Sequence, residues 1–262
     1  MKLKKSIRSG LNIFMMGSIL FALVMITAAM AEKEEQKVCK NMVIKTNTDN
    51  EPGFLNKSDV KELLYKAFQD SIMRKPLDLI PVSEVEKVLT DNPYVANAHV
   101  FIDMNESLHI NIVQRMPVMR IINKYNVHYY IDENANKIPL NNKFTCRVPV
   151  VTGHIMEGYD KGGKISSKEL QNIFNVMNII AEDSFWSAQI EQVEIQEDGS
   201  MHLIPKIGNH VIIMDKGTDV DVALDKLLIF YHEGLPYTGW DKYSSINLSY
   251  KGQIVCTKKI VQ

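Results

Sequence analysis

The stretch GYDKGGKIS, residues 158–166, has Gly158, Gly163 and Lys164 at the spacing of a loop that cradles nucleotide phosphates. Such a loop needs a Ser or Thr hydroxyl directly after its lysine to hold Mg²⁺, and Ile165 stands there. The stretch therefore reads as a glycine loop ahead of a helix. HEGLP at 232–236 begins like a zinc-protease helix, but Pro236 occupies the place of the second histidine ligand, and the segment reads as a helix terminator. The seven histidines never fall at metal-ligand spacing; His99 and His109 are expected to face each other across a hairpin as a solvated or sheet-packed pair. Cys39, Cys146 and Cys256 form no CxxC, which excludes a zinc ribbon or a thioredoxin-type centre, and a Cys146–Cys256 bridge is left open. No GxSxG occurs. The sequence offers no catalytic group, no cofactor site and no metal site. What remains is a row of main-chain donors and acceptors at SSINLSYKGQIVCTKKIVQ, 244–262. Two apolar runs, Ile246–Leu248–Tyr250 and Ile254 to Cys256, flank a Lys251–Gly252 turn, and the second is expected to be a sheet's edge strand.

The elements that must hold this edge begin at a membrane. MKLKKSIRSG carries four basic residues and no acid, and Leu11 to Ala31 runs without a charge before EKEEQK. Twenty-one helical residues at 1.5 Å each span about 31 Å, enough for a bilayer core. Basic residues before the run and acids after it put the N-terminus in the cytoplasm and the bulk outside. Ala29–Met30–Ala31 resembles a cleavage site, but the apolar run exceeds that of a cleaved signal, so an uncleaved anchor over 11–31 is expected. A net charge of −1 at 23% charged residues leaves no basic surplus for nucleic acid.

Beyond the anchor, Met42–Lys45 reads as a strand. Val60, Leu63, Leu64, Ala67 and Phe68 share a helical face capped by Asn56 or Ser58. A second helix carries Val82, Val85, Val88 and Leu89 inward and ends at Asp91–Asn92–Pro93. Ala98, Val100 and Ile102, then Leu108, Ile110 and Ile112, alternate as two strands of a hairpin. The unit is β-α-α-β-β, an α+β domain. From Pro117 strands dominate: 118–122, 129–132, 137–140, 149–152, 190–196, 201–205, 210–214 and the terminal pair. Two helices interrupt them, one capped by Ser166 with Glu169 and burying Leu170, Ile173, Phe174, Met177 and Ala181. The other opens at Thr218, buries Val220, Ala223, Leu224, Leu227, Leu228 and Tyr231, and stops at Gly234 and Pro236. The two units join almost directly at Gln114–Pro117, which predicts a fixed mutual orientation.

Seven ordered pieces carry a resemblance over essentially the whole chain: the basic N-terminus and single span, NPYVANAHV (92–100), QRMPVMR (114–120), YYIDENANKIPL (129–140), RVPVVTG (147–153) and INLSYKGQIVCTKK (246–259). The chain resembles the bacterial cell-division family FtsQ (DivIB). The resemblance implies a cytoplasmic tail at 1–10, an anchor at 11–31, a POTRA domain at 32–115 and a β domain at 116–262. It implies a single-pass protein of the inner membrane at the division septum, with its bulk in the periplasm and no enzymatic activity. FtsB and FtsL are the implied partners, with FtsK, FtsW and FtsI-like proteins as further candidates. FtsB docking is implied at Tyr250, Gly252, Gln253, Ile254, Val255, Cys256 and Thr257. One departure stands out: Asn134 and Asn136 occupy a turn where an Asp-Gly is expected, and Asn tolerates left-handed backbone well enough to keep the hairpin. The alternative is a POTRA-containing adaptor of envelope assembly or secretion outside division.

Overall fold

The α+β division into a small helix-covered sheet and a larger strand-rich unit holds in a computed structural model, which describes residues 15–26, 37–48, 52–69, 71–160 and 163–260. Helix α1 covers 15–26 with all twelve residues exposed and none charged. Among the described residues no helix is long and apolar enough to cross a membrane. The remainder of the expected 11–31 span lies outside the described residues.

The first domain runs β1 (Asn41–Thr46), α2 (Lys57–Phe68), α3 (Val82–Thr90), β2 (Val95–Ile102) and β3 (Ser107–Gln114). Its sheet has the order β1-β3-β2, with β1 parallel and β2 antiparallel to β3. Asn56, not Ser58, caps α2: its Oδ1 accepts from the amides of Ser58 and Asp59, and Asp59 Oδ2 accepts the Asn56 amide in return. Val60 and Leu64 of α2, Val85 and Leu89 of α3, and Ala98, Val100, Leu108, Ile110 and Ile112 of the sheet form one buried core, while Ala67 is exposed. His99 pairs with Asn111 in the ladder and Phe101 with His109, so the histidines lie diagonally with the Phe101 ring between them.

The second domain contributes β4 (Pro117–Ile122), β5 (His128–Asp132), β6 (Lys137–Pro139), β7 (Val150–Gly153), α4 (Lys168–Glu182), α5 (Ser184–Gln189), β8 (Ile190–Ile195), β9 (Met201–Pro205), β10 (Val211–Met214), α6 (Val220–Ile229), α7 (Leu235–Thr238), β11 (Tyr243–Asn247) and β12 (Val255–Lys258). They build a nine-stranded mixed sheet in the order β12-β11-β10-β9-β8-β7-β4-β5-β6. The parallel steps β7 to β8 and β10 to β11 run the same way across the sheet and carry α4–α5 and α6 as crossovers. Since such crossovers are right-handed, both fall on one face. There they seal a core that includes Met119, Ile121, Tyr129, Trp186, Val193, Leu203, Ile212 and Ile246.

Several local expectations are corrected. Ser167, not Ser166, caps α4, accepting from the Leu170 amide; Glu157 takes the amides of both serines and, in addition, the Ser166 hydroxyl. On that helix Ile180 is buried and Ala181 exposed. The second helix does not stop at Gly234: a wide turn over Phe230–Gly234 carries it into α7, where Pro236 sits in the first turn and needs no donor. In the β5–β6 turn the left-handed residue is Ala135 (φ 62°), while Asp132 Oδ1 accepts the amides of Asn134 and Asn136. All three cysteines are free thiols.

Contacts cross the direct junction between the domains. On its first-domain side Gln114 is buried, and its side-chain amide bonds Thr48 Oγ1 and both main-chain groups of Leu55, anchoring the end of β3. Phe54 stacks on Tyr94 with centroids 4.9 Å apart and meets Phe144 and Tyr130 edge-on at 5.2 and 5.9 Å, joining elements of both domains. Arg115 Nη1 donates to the buried Asp132 carboxylate at 2.8 Å.

Candidate functional site

The terminal strand sits where the sequence puts it, at one rim of the large sheet, and among the described residues it pairs only with β11. The connection before it differs from the expected tight turn. β11 ends at Asn247 and β12 starts at Val255, leaving seven residues, 248–254, between them. Leu248 is drawn out of the hairpin because its amide bonds the Ile213 carbonyl of β10 at 2.9 Å and its side chain is buried in the core. Gly252, at φ 74°, supplies the left-handed residue of the connection.

Two bonds fix which side of β12 faces outward. The Lys259 amide donates to Lys242 O at 3.0 Å, and Thr257 O accepts from Ser244 Oγ at 3.2 Å. Main-chain groups alternate along a strand, so Thr257 and Val255 address β11, while the N–H and C=O of Cys256 and Lys258 point away from it. Among the described residues the chain after β12 does not fold over this rim, since Lys259 continues along β11. Of the predicted docking residues, Val255, Cys256 and Thr257 lie in β12, whereas Tyr250, Gly252, Gln253 and Ile254 lie in the connection. Tyr250 (49%) and Val255 (41%) present apolar surface, and Ile254 and Cys256 are half-buried against the core. Burial pushes the Cys256 thiol up, away from the reactive thiolate.

Residues the sequence reading passed over complete the site. An open groove of about 380 Å³ runs beside the edge between α6 with its following turn and residues 252–254, lined by Ile229, Phe230, Glu233 and Ile254. Ile229 is 59% exposed although it lies on a helix whose inward face is otherwise filled by Ala223, Leu224 and Leu227. An apolar residue off the buried stripe was the available signal. Lys226, on the same helix, donates to carbonyls of the connection.

The opposite rim is treated differently. Residues 163–165 close over the start of β6 in a bridge between Asn136 and Lys164, made by Lys137 N to Gly163 O and Ile165 N to Ala135 O. The lysine of the phosphate-loop-like stretch therefore sits in a β-bridge. Beneath it the buried Lys137 ammonium meets Glu157 at 2.8 Å and also Asp160. Burial would push the Glu157 carboxyl up, but Lys137 and the donors of Ser166 and Ser167 outweigh it and hold it at about 2. Among the described residues no group of three or more His, Cys, Asp or Glu could hold a metal.

The comparisons with known proteins agree with this division. Residues 37–113 match the family described as POTRA-like domain, whose span covers the first sheet and its helices. Residues 116–257 match the family described as FtsQ/DivIB, C-terminal related, which reaches from the start of β4 into β12. No curated protein matches the chain. With more than half of its length in the second match, the chain belongs to the FtsQ/DivIB C-terminal-related family and carries a POTRA-like domain ahead of it.

Proposed function

We propose that this protein is a membrane-anchored, non-enzymatic scaffold of cell division that captures a bitopic FtsB-like partner by strand addition to β12. In this way it links early division proteins to FtsB, FtsL and septal wall synthesis. Family membership supports a division-type scaffold. The single observation that carries the mode of capture is the outer row of β12, unpaired among the described residues, with Cys256 and Lys258 facing away from β11. An added strand gains main-chain hydrogen bonds there and seats alternate side chains on the sheet faces. Ile229, Phe230 and Ile254 offer apolar contact beside it. The uncharged helix at 15–26, exposed at every residue, supports the reading of 11–31 as the anchor. On that reading both partners diffuse in one membrane, which raises their effective concentration and lets a modest affinity suffice. Depletion of the protein tests the role: filamentous cells with blocked septa are expected, and normal septation would overturn the assignment to division. Copurification of the full-length chain with FtsB-like and FtsL-like proteins tests the partner.

A further inference from the structure

Lys226 extends from α6 toward the docking edge, and its ammonium donates to three main-chain carbonyls: Leu248 O at 3.3 Å, Tyr250 O at 2.9 Å and Gln253 O at 3.5 Å. An ammonium has three donors and no acceptor, so its whole capacity is spent on one connection. The last two of these carbonyls bracket the Lys251–Gly252 turn that leads into β12. Other bonds fasten only the beginning of this connection: Leu248 N to Ile213 O, Ser249 N to Asn247 Oδ1 and the Asp215 amide to Ser249 Oγ. Among the described residues no side chain other than Lys226 bonds 250–254.

That concentration matters because β12 is weakly specified by itself. It is held to β11 by four register pairs interrupted by a bulge between Tyr243 and Ser245, and a seven-residue connection imposes no register. A slip of one residue would turn Cys256 out to solvent and Val255 in against the core. It would also turn the main-chain groups of Cys256 and Lys258 back toward β11, leaving an incoming strand the wrong row of donors.

We propose that Lys226 is a positioning residue for the docking edge. By tying residues 248–254 to α6 it sets the register of β12 before any partner arrives, and so preorganises the row that the partner completes. The inference rests on the strand-docking reading. It adds a determinant of affinity that never touches the added strand's ladder.

The test uses the full-length chain in nanodiscs, with the FtsB-like protein as titrant and hydrogen–deuterium exchange on the free chain. Lys226→Met keeps the aliphatic stem and removes the donors, whereas Lys226→Arg keeps a cation with donors. Lys226→Met is expected to weaken capture about tenfold, equivalent to about 1.4 kcal/mol. It should speed exchange at 250–258 while leaving β4 and β8 unchanged, and Lys226→Arg should retain capture. Capture within twofold of the unmodified chain overturns the proposal, as does faster exchange across the whole second domain, which would make Lys226 merely stabilising. A Cys256→Pro/Lys258→Pro chain run in parallel separates the two ideas. If it captures fully, the docking reading falls and takes this inference with it. If it loses capture while Lys226→Met keeps it, only the role of Lys226 falls.

Discussion

The alternation along β12 makes a positional prediction sharper than deleting the strand. Proline at Cys256 and Lys258 removes two outward-facing donors and none of the donors that address β11. Proline at Val255 removes a β11-facing donor and breaks the hairpin itself. The outward row holds two residues, hence two N–H and two C=O groups. Four such bonds contribute about 0.5–1.5 kcal/mol each, or roughly 2–6 kcal/mol in total. Losing two of them costs about 2 kcal/mol, which lowers affinity roughly 30-fold. The assay is titration of the FtsB-like partner onto the full-length chain, with thermal unfolding and exchange protection of β11 recorded for the same samples. Cys256→Pro/Lys258→Pro should lose capture with β11 still protected. Val255→Pro should lose both. Capture of the double variant within threefold of the unmodified chain would refute the assignment of the outer row, whatever happens to Val255→Pro.

Further outcomes follow from the rest of the fold. Lys137→Met leaves the Glu157 carboxylate buried without its cation and should destabilise the second domain by about 3–5 kcal/mol in chemical unfolding. Lys137→Met/Glu157→Leu should recover most of that loss. Because Glu157 is held at about 2 in the folded chain and titrates near 4.3 when unfolded, its stabilisation is complete above about pH 4.3 and is lost as pH falls toward 2. The span is worth about 3 kcal/mol. A Glu157→Gln chain should show a flatter acid-unfolding curve over that window. Phe54→Ala removes the ring that meets Tyr94, Tyr130 and Phe144 at the domain junction. It should cost about 3 kcal/mol and split the calorimetric unfolding into two transitions.

What the sequence made legible was whatever a local period encodes. The 3.6-residue stripes of α2, α4 and α6 and the alternation of β2 and β3 needed no tertiary information, and their order separates the two domains. What it hid depends on distant partners. Ser166 and Ser167 are equivalent caps until Glu157, nine residues upstream of the first, engages the Ser166 hydroxyl and leaves that of Ser167 for the Leu170 amide. The Lys251–Gly252 turn looks tight until Ile213 of another strand captures Leu248. Pro236 reads as a terminator because a wide turn that restarts a helix has no sequence period of its own. Ala135 in the left-handed region could not be read locally either, since the bonds that hold its turn come from the Asp132 carboxylate, itself fixed by Arg115. Lys226 escaped for the same reason: its acceptors are 22 to 27 positions away.

The two rims of the nine-stranded sheet argue together for a docking edge more strongly than either does alone. An unpaired strand is a hazard in any sheet, and this chain has the means to remove it. At β6 it spends a return segment, 163–165, on two main-chain hydrogen bonds and seats a buried Lys137 beneath them. At β12 it adds only Lys258 and Lys259, which discourage indiscriminate pairing without filling the row. Meanwhile Lys226 fastens the connection to β12 from the side and leaves the outer row untouched. A rim that needed only protection would be served by the device already present at the other end of the same sheet. Holding a strand in register while, among the described residues, its far side stays unpaired is what the proposed reception of a second chain requires.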